Sequence, residues 1–120
     1  MRIGMLDITD LDFDEEVLKC ELPVFACFVT KWCHSCFPTC LIADQFAEEY
    51  DGDVKFVKVD MDTHPELTAK YQLRVVPTII TFLNAQPVDR ALGIQDRDSI
   101  RVIMDRLATA SVAAGMQNTS

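Results

Sequence analysis

The sequence predicts an α/β domain: a mixed sheet of four to five strands with helices on both faces. Three observations carry this expectation. Strand-like apolar runs alternate with amphipathic stretches through the first two thirds of the chain, the pattern of strand–helix–strand units. The last two strand-like runs are separated by only a short turn, which makes a hairpin rather than a crossover. At 120 residues and 49% apolar content, the chain suits one domain with one hydrophobic core.

The elements follow in order. Residues 3–8 are taken as a first strand. Residues 10–20 read as a helix that Thr9 or Asp10 can cap, with Phe13, Val17 and Leu18 at helical spacing. Pro23 breaks the chain. Residues 24–30 form a near-continuous apolar run, as expected of a strand buried on both faces. Residues 32–36 turn into a helix that reaches about Tyr50. Thr39, Ile42, Ala43, Phe46 and Tyr50 mark one of its faces; Asp44, Gln45, Glu48 and Glu49 mark the other. Asp51-Gly52-Asp53 ends it. Residues 54–60 are strongly β-prone, and residues 65–71 suit a short helix with Pro65 tolerated in its first turn. A strand over residues 78–83 starts after Pro77. A turn at residues 84–87 then leads to an edge strand over residues 88–92, interrupted by Gly93. A last amphipathic helix covers residues 96–107, with Ile100, Ile103, Met104 and Leu107 inward. The domain is expected to occupy residues 1–110, with a small polar flexible tail over residues 111–120.

The charge excludes some partners. Eleven Lys and Arg stand against nineteen Asp and Glu, a net charge of −8. Such a chain is repelled by phosphate backbones and anionic lipid heads, so neither nucleic acid nor a membrane surface is an expected partner. No run of about 18 apolar residues exists to span a bilayer. The N-terminal segment turns acidic at Asp7 and does not read as a secretory signal, so the expected compartment is cytoplasmic.

Five cysteines, Cys20, Cys27, Cys33, Cys36 and Cys40, all fall in the first third of the chain. The odd count rules out a fully paired framework, and the clustering points to catalysis or metal rather than to structural bridges. The central signal is Lys31-Trp32-Cys33-His34-Ser35-Cys36. A CxxC at a helix start brings two sulfurs within disulfide reach. The unpaired N–H groups and partial positive charge of that helix end favour a thiolate on the first cysteine. The thiolate is the attacking species in exchange. Cys33, the more exposed, is therefore the expected nucleophile, and Cys36 the resolving thiol.

A lone CxxC also occurs in zinc sites; its place after a buried strand and before a helix makes the redox reading much stronger. The region from Val24 to Cys36, with Trp32 directly before Cys33, resembles the active-site region of thioredoxins. Lys58-Val59-Asp60-Met61-Asp62, then Tyr71-Gln72-Leu73, then Val76-Pro77-Thr78 follow in that family's order and spacing. The resemblance covers residues 8–107. It implies the thioredoxin fold and a protein-disulfide oxidoreductase that needs no cofactor. It implies disulfide-containing client proteins and, for a reductive role, a flavin-dependent thioredoxin reductase as electron donor. It also implies that Pro77 is a cis-proline facing the disulfide, that the backbone of Val76 pairs with the client chain, and that Trp32 shields the disulfide and helps form the docking surface.

Three departures bear on mechanism. The family's buried Asp on the strand before the motif is replaced by Cys27, which leaves the proton route open and leaves Lys58 without the partner expected from the family. The residues between the cysteines are His34-Ser35 rather than Gly-Pro, and a cationic His34 would stabilise the thiolate and make the site more oxidising. Cys40 lies one helical turn beyond Cys36, as an alternative disulfide partner, a third thiol, or a small residue packed on the sheet. Cys20 reads as a bystander, and His64 as part of a helix start. Two alternatives to the oxidoreductase stay open: a non-catalytic binding module on the same fold, and a zinc or iron–sulfur site using Cys33, Cys36 and Cys40 with His34.

Overall fold

The computed structural model describes residues 4–62 and 65–118. Five strands form one sheet: β1 (Leu6–Ile8), β2 (Val24–Val29), β3 (Lys55–Asp60), β4 (Thr78–Leu83) and β5 (Gln86–Leu92). Their spatial order is β1-β3-β2-β4-β5. β1, β3 and β2 run parallel, and β4 and β5 add antiparallel. The helices are α1 (Asp10–Phe13), which continues as a π-helical stretch over Asp14–Leu18, then α2 (Cys36–Glu49), α3 (Pro65–Lys70) and α4 (Arg97–Asn118).

β2 is the middle of the sheet, and all six of its residues are buried. Because side chains alternate along a strand, it feeds two separate cores. Phe25, Cys27 and Val29 join Cys36, Cys40, Ala43 and Phe46 of α2 and Ile100, Ile103, Met104 and Leu107 of α4. Val24, Ala26 and Phe28 join Phe13, Val17, Val57, Val59, Leu67, Ile80 and Phe82 on the opposite face. That second core is aromatic at its centre: Phe13, Phe28, Tyr71 and Phe82 meet with ring centroids 5.5–6.3 Å apart. Helices therefore cover both faces, as the doubly buried run in residues 24–30 implies.

Several boundaries differ from the sequence reading, each for a local reason. The first strand is only Leu6–Ile8; Ile3 lies outside the described residues. The first helix ends at Leu18 rather than Cys20, closing through a wide turn in which the Lys19 N–H donates to the Asp14 carbonyl at 2.9 Å. That turn still buries both Phe13 and Val17. β5 begins at Gln86, not Val88, because the hairpin needs only two central residues. Asn84 and Ala85 both take positive φ, 52° and 69°, the conformation of a tight turn matched to sheet twist. Pro87 then sits on the outer strand beside an irregularity: Thr81 pairs with Asp89 but Phe82 with Pro87, so Val88 is the extra residue. α4 does not stop at Leu107 but continues to Asn118, through a stretch rich in alanine, the strongest helix former. His64 lies outside the described residues.

Candidate functional site

Cys33 and Cys36 form a disulfide, with the Cα atoms 5.3 Å apart. The local chain explains the placement. The Lys31 N–H donates to the Asp62 carboxylate at 2.8 Å, and the Met61 N–H donates to the Val29 carbonyl at 2.8 Å, so the loop after β3 holds the end of β2. The Cys33 N–H then donates to Thr30, and the Cys36 N–H to the Cys33 carbonyl at 3.2 Å, which winds the chain into the first turn of α2. Cys36 is the first residue of α2, with Ser35 at its N-cap. Far along the chain, the Gln95 N–H donates to the buried Thr39 hydroxyl at 3.0 Å and ties α2 to the segment before α4.

The two sulfurs differ in access. Cys36 is 4% exposed, whereas Cys33 is half-buried. The Ser35 hydroxyl lies 3.4 Å from the Cys33 sulfur and donates to it, since a disulfide sulfur carries no proton. After reduction the same hydroxyl can donate to a Cys33 thiolate. His34 is exposed. Trp32 stands 82% exposed beside the motif, and Phe37 is 64% exposed. The Val76–Pro77 peptide bond is cis; Pro77 is buried, and its carbonyl accepts from the Gly93 N–H at 2.8 Å. Val76 packs against the same core that Cys33 and Cys36 border.

A pocket of about 440 Å³ opens beside the disulfide, lined by Cys33, Cys36, Phe37, Cys40, Lys58 and Asp7 among others. Two of its lining residues, Asp7 and Lys58, are placed by strand register. Asp7 of β1, Lys58 of β3 and Cys27 of β2 are direct neighbours across three parallel strands. Lys58 is thus not left without a partner, contrary to the expectation from the family. Asp7 supplies one, with Nζ–Oδ1 at 3.4 Å. Burial draws the Lys58 pKa down, but Asp7, Cys40 and Asp44 outweigh it and the net shift is upward. Asp44, on the face of α2 that Gln45, Glu48 and Glu49 share in the sequence reading, accepts the Met5 N–H at 2.9 Å.

Cys40 and Cys27 lie in one buried cluster. The interaction with the Cys40 thiol, reinforced by burial, pushes the Cys27 pKa well up. The same interaction draws Cys40 down; burial opposes this and Lys58 assists it. Cys20 is half-buried on the opposite side of the sheet. Among the described residues, no group of three or more His, Cys, Asp or Glu side chains is placed to hold a metal ion. No helix there is long and apolar enough to cross a membrane.

Comparison with known proteins agrees with this geometry. The family profile described as Thioredoxin matches residues 4–106. The chain is 34% identical over 94 residues to a thioredoxin of Rickettsia bellii, covering 78% of this chain and 90% of that protein. It is 31% identical over 104 residues to a thioredoxin of Staphylococcus aureus, covering 87% and 98%. Thioredoxin 1 of Nostoc is 31% identical over 99 residues, covering 82% and 92%.

Proposed function

The chain belongs to the thioredoxin family, and on that premise we propose that Cys33 is the attacking thiolate and Cys36 the thiol that releases the product. The protein is a thiol–disulfide oxidoreductase acting on client proteins. In its reductive direction the Cys33 thiolate attacks one sulfur of a client disulfide, and the other client sulfur leaves as a thiolate. The Cys36 thiolate then attacks the Cys33 sulfur, and the second client thiolate departs. The client has gained two electrons and the enzyme holds the Cys33–Cys36 disulfide, the state seen here.

The observation that carries the assignment is the asymmetry of access: Cys33 can be reached by a client and Cys36, at 4% exposure, cannot. The Ser35 hydroxyl and the start of α2 both favour a negative charge on Cys33. Trp32, exposed beside the motif, and the backbone of Val76 form the docking surface for the client chain. Pro77 shapes the loop that presents Val76. His34 tunes the poise of the pair toward oxidation. The compartment is the cytoplasm, and a flavin-dependent thioredoxin reductase returns the electrons.

The decisive experiment is the redox equilibrium of the pair against glutathione or dithiothreitol buffers, read by the fluorescence of Trp32, the single tryptophan, with the bond mapped by mass spectrometry. A potential near that of thioredoxin, about −270 mV, supports a reductase; a value near about −180 mV supports an oxidase or isomerase and implicates His34. Cys33→Ser must abolish insulin reduction, while Cys36→Ser must accumulate a mixed disulfide on Cys33. A mixed disulfide accumulating on Cys36 in Cys33→Ser, with none on Cys33 in Cys36→Ser, would reverse the assignment.

A further inference from the structure

Cys27 and Cys40 take no part in the exchange just described, yet they adjoin it. Four cysteines lie in or against one buried cluster. Cys33 and Cys36 are bonded at the pocket mouth. Cys40 lies one helical turn beyond Cys36 on the same buried side of α2. Cys27, on β2, is fully enclosed in the same cluster as Cys40. Cys27, Cys36 and Cys40 share one buried cluster, and Cys33 packs against it. Cys40 also lines the pocket that Cys33, Cys36 and Lys58 line, whereas Cys27 does not.

We propose that Cys27 and Cys40 are a second redox-active dithiol, which takes over the disulfide from Cys33 and Cys36 through Cys40. The proposal rests on the exchange chemistry assigned to Cys33 and Cys36. The Cys40 thiolate attacks the Cys36 sulfur, the Cys33–Cys36 bond breaks, and Cys33 leaves as a thiolate. Cys27, having lost its proton, then attacks the Cys40 sulfur of the new Cys36–Cys40 bond, and Cys36 leaves as a thiolate. The protons of Cys40 and Cys27 end on Cys33 and Cys36. The outer pair is reduced by two electrons and the inner pair oxidised by two, so no external reagent is consumed. Polarity favours this direction of attack. Cys40 lines the pocket while Cys27 is fully enclosed, and the neighbouring Cys27 thiol and Lys58 draw the Cys40 pKa below its ordinary value. A protein built this way stores four electrons rather than two and can leave its outer pair reduced after meeting an oxidant.

The test uses the wild-type chain. Reduced protein is treated with excess diamide, which removes two electrons and two protons per disulfide, and the remaining thiols are counted in denaturant. Of the five cysteines, one should stay free, and mapping should join Cys27 to Cys40; three free thiols would overturn the proposal, as would a second bond joining other residues. For the hand-over, one equivalent of diamide is added and samples are alkylated over time. The Cys27–Cys40 bond should grow at the expense of Cys33–Cys36 after the diamide is spent, and should do so equally in Cys20→Ala. Absence of growth after that point refutes the hand-over. Insulin reduction is assayed in parallel. Intact insulin reduction with three free thiols defeats only the second dithiol, whereas loss of insulin reduction in the wild type defeats the assignment of the outer pair.

Discussion

The two faces of the sheet are built from alternate residues of the same strand, yet they have diverged. One face sets Val24, Ala26 and Phe28 against an aromatic group of Phe13, Tyr71 and Phe82. The other sets Phe25, Cys27 and Val29 against Cys36 and Cys40, and borders Lys58, Asp7 and the pocket. Both are close-packed, and both exclude water. The difference is that the first is hydrocarbon at its centre, with Cys20 and Tyr71 only packed against its edge, while the second keeps titratable and polarisable groups next to the solvent boundary. Stability and reactivity are thus divided between two layers that share a backbone only 6 residues long.

The sharpest way to break this division is to cut into the aromatic layer. Phe28→Ala removes a fully buried ring that touches two others and should cost about 3–5 kcal/mol in urea denaturation. If the layers are independent, the redox equilibrium of Cys33 and Cys36 in the folded variant stays where it was; a shifted potential would show that the two faces are energetically one.

On the sulfur side, Thr81 is fully buried with no hydrogen-bond partner for its hydroxyl among the described residues. It shares the strand parity of Ile79, so it points to the reactive face. Thr81→Val should stabilise the protein by about 1 kcal/mol, because the unpaired hydroxyl no longer has to be kept dry. A loss of stability would mean that the hydroxyl has a partner in solution.

At the hairpin beyond both layers, Ala85 holds φ at 69°. Ala85→Gly should stabilise by roughly 1 kcal/mol as the left-handed conformation becomes costless to the side chain. Thermal unfolding would read this, and client reduction should not change.

The last test probes the sulfur layer directly. Cys27→Ala should cost about 1 kcal/mol for the buried sulfur it removes. Its signature is chemical. The Cys27 thiol holds the Cys40 pKa below its ordinary value, so removing it raises that pKa. With Cys33 and Cys36 kept oxidised, the midpoint of the pH–rate curve for alkylation of Cys40 should move to higher pH. An unmoved midpoint would mean that Lys58 alone sets the acidity of Cys40.

Much of this was legible in the chain. The buried strand, the CxxC at a helix start and the hairpin are local signals, carried by residues within a few positions of one another. The sequence could flag Cys27 and Lys58 as departures but could not say what they face. Asp7 meets Lys58 only because β1 and β3 pair in that register, and Cys27 borders Lys58 only because β2 pairs with β3 in this one. A shift of one residue in either pairing would turn those side chains to the other face. The contact between Cys27 and Cys40 likewise depends on how α2 is rotated over β2. Asp44 shows the same dependence: its place on the polar face of α2 did not reveal that the Met5 N–H would take it as an acceptor. Local spacing finds the reactive group, whereas the groups that tune it are chosen by register.

β2 is hydrogen-bonded on both edges and covered on both faces. Its amides should therefore be among the last in the molecule to exchange with deuterium, opening only when the whole domain unfolds. The Lys31–Ser35 segment that carries Cys33 starts just past the end of that strand and has solvent on one side. Deuterium uptake should rise steeply across this junction. The Cys33 sulfur should then move on the timescale of a surface loop, while the strand beneath it opens only with global unfolding.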